Sequence, residues 1–178
     1  IKISLASLER NIEKCRSMTD AKIMAVLKCN GYGMGIVEYA KRLKALGITS
    51  FAVSRPDEAM ALRRAGFDGE LVLLTAMWED EVLTALAAKN VALTISCPEN
   101  DDKVRSVLLS RGLSAVVHIA VDTGMHRYGF TPDELKAYSP DGAPYTPGGI
   151  FTHFYASLDR EITAKQHDIF MSCVEELR

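Results

Sequence analysis

Apolar residues along this chain fall in short runs, each followed by a longer stretch with helical spacing. The runs 23–27, 50–54, 70–74, 91–95, 115–121 and 149–152 read as strands, because they are short, rich in apolar and β-branched residues, and bounded by turn residues. They are apolar at successive positions rather than alternate ones, the pattern of parallel strands covered on both faces. Between them lie helical patterns with clear punctuation. The stretch 36–46 stops at Gly47, a residue suited to the left-handed position after a helix. The next opens on Pro56-Asp57-Glu58 and stops at Gly66. The stretch 79–89 stops at Asn90, 101–111 stops at Gly112, and Thr131 caps a short helix beginning Pro132-Asp133-Glu134. An opening helix is expected over 8–18 and a last one over 164–177. The stretch 137–148, dense in proline and glycine, is short for a helix of this series.

Strand alternating with helix predicts an α/β fold with a parallel sheet and helices outside it. Six units fit a doubly wound sheet or part of an eight-fold barrel of TIM type. In a barrel the chemistry sits at the C-terminal ends of the strands. The chain starts at Ile1 in what reads as a strand and ends at Arg178 inside an amphipathic helix, which reads as a piece of a longer protein.

Composition narrows the class. The chain is 178 residues long, 48% hydrophobic and 25% charged, with a net charge of −2. That is the profile of a soluble globular domain, with no charge excess to draw it to nucleic acid or an anionic membrane. No run reaches membrane-spanning length, and none reads as a secretion signal. Cys15, Cys29, Cys97 and Cys173 are scattered, and the four histidines complete no zinc spacing with them, so no metal site is expected. Reduced thiols and a cytoplasmic location follow as expectations.

The residues after the strands carry the candidate chemistry. Lys28 follows the first strand and opens Lys28-Cys29-Asn30-Gly31-Tyr32-Gly33-Met34-Gly35. Lysine is seldom left at the end of a core strand without a purpose, and partial shielding from water favours its neutral, nucleophilic form. The alternating glycines let backbone approach a bulky ligand. Arg55 follows the second strand. The fifth runs into Asp122-Thr123-Gly124-Met125-His126-Arg127-Tyr128-Gly129-Phe130, where a guanidinium and backbone amides gather near a phosphate, phenolate or carboxylate. His153 follows the sixth. The ends of the third and fourth strands, Leu74-Thr75 and Ser96-Cys97, are bland. Each residue has an ordinary reading by itself. Lys28 can snorkel, Arg127 can serve a structural ion pair, His153 can be a satisfied loop histidine, Tyr32 can pack, and Asp122 can cap the turn after it. Their shared position at strand ends favours chemistry. No nucleotide-binding fingerprint is present.

These segments resemble a known family. Residues 26–35 are similar to the lysine motif of bacterial alanine racemases, 121–130 to their Asp-Thr-Gly-Met loop, and 149–154 to their Thr-His-Phe strand end. Residues 51–59, leading to Leu62-Arg63, are similar to a further signature. The resemblance covers nearly all of the chain, with the motifs in the family's order. It implies a pyridoxal 5′-phosphate (PLP) binding (β/α)8 barrel of which about six β/α units are here, spanning 1–178. The last two units and a mostly β C-terminal domain fall outside this chain. It implies an isomerase acting on a small amino acid, working as a homodimer in which each site takes residues from the partner's second domain.

Carried over to this sequence, the resemblance implies that Lys28 holds PLP covalently and acts as acid and base on one face of the substrate. Tyr32 would bond the cofactor phosphate. Arg127 would lie near the cofactor's phenolic oxygen and the substrate carboxylate. His153 would pack beside the pyridine ring, and Leu74 would line the cofactor face. The acid/base for the opposite face, a tyrosine in the family, and the partner of the pyridine nitrogen lie outside this chain. Ala120 stands where family members often carry a carbamylated lysine that orients the arginine. Met34, His126 and Cys29 also depart from the family pattern. Racemisation of alanine is the expectation, with serine the next substrate. A Lys-Cys-Asn run is also found in PLP-dependent basic-amino-acid decarboxylases, although 32–35 and the Arg127 loop argue against that class. A small non-catalytic PLP-binding protein is the third reading.

Overall fold

The structure is a computed structural model that describes residues 4–177. The strand expected at Ile1 lies outside the described residues. The chain forms two compact units, Ile1–Leu74 and Thr75–Arg178.

In the first unit the order is α1 (Leu5–Arg16), β1 (Met24–Val26), α2 (Lys28–Tyr32), α3 (Ile36–Ala45), β2 (Ser50–Val53), α4 (Pro56–Arg64) and β3 (Glu70–Leu73). The three strands form a parallel sheet in the order β1-β2-β3. Every residue of β2 is buried, as its unbroken apolar run predicts for a central parallel strand. β1, with one neighbour, leaves Val26 exposed. The core is Leu27, Leu43, Phe51, Leu62, Leu71 and Leu73, and Phe51 stacks on Phe67 with ring centroids 4.4 Å apart.

In the second unit the order is α5 (Asp80–Ala87), β4 (Leu93–Ile95), α6 (Pro98–Arg111), β5 (Ala115–Ala120), α7 (Pro132–Lys136), β6 (Tyr145–Phe151) and α8 (Arg160–Glu176). Its sheet is also parallel, in the order β4-β5-β6. Leu83, Leu86, Leu93, Ile95, Val104, Leu108, Val117 and Phe130 fill its core.

Three helices begin earlier than the apolar periodicity indicates, because their caps lie upstream of it. Ser4 accepts from Ser7 N at the start of α1, and Asp159 accepts from Glu161 N and Ile162 N at the start of α8. Pro98 takes the first turn of α6, where its missing N–H costs nothing. β6 also begins earlier than expected, at Tyr145 rather than Gly149. Pro147 and Gly148, placed before the strand by the sequence, lie within it, and the pairing to β5 slips between Val117 and His118 in this edge strand. Gly148 is required there: a Cβ would come within 2.4 Å of Val116 Cγ1.

α6 is tied to the segment before β6 by a largely buried polar cluster. The Asp101 carboxylate accepts from Tyr145 OH at 2.5 Å and Arg105 Nε at 2.9 Å. Arg105 also donates to the Ser139 carbonyl at 2.6 Å, and its guanidinium lies over the Tyr145 ring. Burial, followed by the bond to Asp101, pushes the Tyr145 hydroxyl far above the usual phenol range.

Candidate active site

Lys28 follows β1, as the sequence predicts, and opens α2. Five consecutive residues, Cys29 to Gly33, have positive φ, so the lysine opens a left-handed turn. Such backbone costs about 1–2 kcal/mol at each non-glycine residue, here Cys29, Asn30 and Tyr32. The turn is closed by Gly31 N to Leu27 O at 2.9 Å, Gly33 N to Cys29 O at 3.0 Å and Gly35 N to Asn30 O at 3.0 Å. Gly33 has φ of 84° and open space where a Cβ would stand, so it serves backbone conformation rather than close approach.

Lys28 is half-buried, and its ammonium has no hydrogen-bond or ion-pair partner among the described residues. Tyr32 is 57% exposed, with no partner for its hydroxyl among the described residues. Leu74 directly follows β3, half-buried, its N–H donating to Val53 O at 2.8 Å. Lys28, Tyr32 and Leu74 thus all belong to the first unit. Arg55, the other strand-end cation there, is held in an exposed two-bond pair with Asp57, Nε to Oδ1 at 2.9 Å and Nη2 to Oδ2 at 2.8 Å.

Arg127 and His153 belong to the second unit. Asp122 builds the loop that carries Arg127: its Oδ1 accepts from Gly124 N at 2.9 Å and His126 N at 3.0 Å. The turn-capping reading of Asp122 is therefore correct. Phe130 N returns to Ala120 O at 2.8 Å and closes the loop. Arg127 is exposed; its guanidinium stacks over the Tyr128 ring at 5.0 Å, and no carboxylate pairs with it among the described residues. Ala120, at the end of β5, is buried.

Burial raises the Asp122 pKa, but the bonds from His126 N and Gly124 N outweigh it, so the carboxyl is held below the usual range. Stability from a depressed carboxyl is complete above the unfolded value of about 3.9 and is lost as pH falls through the folded value. Asp122→Asn should therefore flatten the acid limb of unfolding followed from pH 6 to pH 2. A limb identical to wild type would show that Asp122 contributes nothing to it.

Gln166 of α8 went unnoticed in the sequence. It is 2% exposed, and its amide makes three bonds to two segments. Nε2 donates to Thr123 Oγ1 at 3.0 Å and to the His153 carbonyl at 3.2 Å, while Oε1 accepts from Tyr155 N at 3.3 Å. Thr123 Oγ1 in turn lies 2.8 Å from Thr152 Oγ1, which donates to Val121 O. The Arg127 loop and the His153 strand end are thus stitched to each other through one buried amide. A signal existed: Gln166 sits seven residues before Cys173, on the same buried stripe of the helix.

A primary amine can condense with an aldehyde, and a phenol and a guanidinium can donate to a phosphate and an anionic oxygen. The chain that carries them, about six β/α units with parallel strands, is an α/β protein of the (β/α)-barrel type. Comparison with known proteins agrees. Residues 3–178 match the family described as alanine racemase, N-terminal domain, and the chain belongs to that family. It is 38% identical to an alanine racemase of Desulforamulus reducens, over 98% of this chain and 49% of that protein. Among solved structures, an alanine racemase from Bacillus anthracis with bound L-Ala-P superposes with a TM-score of 0.87 at 29% identity, over 97% of this chain and 46% of that one. A histidine racemase from Leuconostoc mesenteroides superposes at 0.85 with 26% identity, over 95% and 47%. The chain spans about half the length of the relatives it matches. No described helix is long and apolar enough to cross a membrane.

Proposed function

We propose that the full-length protein is a PLP-dependent amino-acid racemase that interconverts L- and D-alanine. The observation that carries this reading is Lys28: a half-buried amine without a partner among the described residues, at the end of a β strand, in a chain that belongs to the alanine racemase family. PLP, when bound, supplies an electron sink for charge at the substrate α-carbon. Lys28 is the residue that would hold it covalently, Tyr32 would bond its phosphate, Leu74 and His153 would pack on the ring, and Arg127 would offer its guanidinium to the phenolic oxygen and the substrate carboxylate. In that role Lys28 Nζ would be the acid/base at one face of the substrate α-carbon, with the opposite face served by a group outside this chain. No carboxylate pairs with Arg127 among the described residues, which leaves its guanidinium open to a carboxylate substrate.

A second domain beyond this chain, supplying the opposite-face acid/base across a homodimer, and a cytoplasmic location complete the reading. The shared length with relatives about twice as long supports the further domain. Incubation of the full-length protein with L-alanine in deuterium oxide should yield D-alanine carrying deuterium at the α-carbon. Release of carbon dioxide without D-alanine would instead make it a decarboxylase.

A further inference from the structure

We infer that Glu58 is a positioning residue for Lys28, its carboxylate holding the left-handed turn that aims the lysine. The inference rests on Lys28 being the cofactor lysine. Glu58 stands in the first turn of α4, where an acid is normally solvated, as its exposed neighbour Asp57 is. Glu58 instead points inward and is 7% exposed. Both its oxygens are used. Oε2 accepts from Ser54 N at 3.3 Å and Arg55 N at 3.2 Å, which caps α4. Oε1 is not needed for that cap, and it reaches a residue 28 positions away, accepting from Asn30 N at 2.9 Å.

Asn30 is the hub of the left-handed turn. Its N–H is one of the opening amides of a helical turn, which have no partner inside the turn. Its side-chain Oδ1 accepts from Ile36 N at 2.9 Å, and its carbonyl accepts from Gly35 N. The clamp therefore acts two residues after Lys28, on backbone whose φ of 55° an L-residue seldom adopts. Gln is nearly isosteric with Glu but offers one carbonyl oxygen. Its NH2 would oppose either Asn30 N–H or the two amides at the start of α4, so an amide cannot serve both sets. The chemistry calls for a carboxylate.

The test uses the full-length protein, with loaded subunits counted by borohydride reduction and peptide mapping at Lys28. Misplacing a reacting group by about 1 Å costs about 100-fold, so Glu58→Gln should lower kcat per loaded subunit by about that factor. KM should change far less, because the lysine acts after substrate has bound. The exposed neighbour variant Asp57→Asn should leave kcat within about twofold. A Glu58→Gln kcat per loaded subunit equal to that of Asp57→Asn would overturn the inference. If Glu58→Gln does not accumulate folded, hydrogen exchange on the wild type decides: Asn30 N–H, on an exposed residue, should exchange at least about 100-fold more slowly than an unbonded loop amide. Exchange at the unbonded rate overturns the clamp. A wild-type protein unlabelled at Lys28 overturns the cofactor-lysine reading, and the Glu58 role falls with it.

Discussion

Lys28→Ala in the full-length protein should lower racemase activity by at least about three orders of magnitude, the upper range for loss of a positioned acid/base. It should do so with little effect on stability, because the Lys28 ammonium forms no bond among the described residues that folding would lose. Lys28→Arg separates charge from chemistry. It keeps the cation, but a guanidinium is not deprotonated in proteins and cannot serve as the amine. It should be as inactive as Lys28→Ala. A small primary amine added to Lys28→Ala should restore part of the rate, since the missing group is then supplied from solution. Activity above about a tenth of wild type in either variant would remove Lys28 from the reaction.

The second large effect is on stability. Asp101→Ala should cost about 3 kcal/mol, the lower end for breaking a buried ion pair, because Arg105 keeps the Ser139 carbonyl. The side chains of Asp101 and Arg105 are only 10% and 21% exposed, so water replaces little of what is lost. Removing the carboxylate also takes the charged acceptor from the buried Tyr145 hydroxyl and leaves it the Tyr138 hydroxyl at 3.2 Å. The adjacent exposed Asp102→Ala should change stability by less than about 0.5 kcal/mol. Urea unfolding of both variants makes the comparison, and a difference below about 1 kcal/mol would mean that the cluster is incidental.

The contrast between these residues explains what the sequence made legible. The positions of Lys28, Arg127 and His153 after strands were legible because the strands show in the apolar runs. Asp122 was legible because an acid before Thr-Gly caps a turn. The left-handed turn was not, because Cys29 and Tyr32 seldom adopt positive φ, and the bond from Asn30 N to Glu58 that helps hold it joins residues 28 positions apart. Glu58 looked like any acid in a first helical turn, and its burial is a tertiary fact. Gln166 was hidden for the same reason, a polar residue on a stripe read for its apolar members. Pro147 and Gly148 misdirected the reading of β6, since the residues that end strands also make the irregularities within edge strands.

The central claim is that Lys28 carries the cofactor. Borohydride reduction of the full-length protein loaded with PLP, followed by proteolysis and mass spectrometry, tests it most directly. A pyridoxyl group is expected on Lys28, in the peptide that continues Cys29-Asn30-Gly31-Tyr32. A pyridoxyl group on another lysine, or on none, would contradict it.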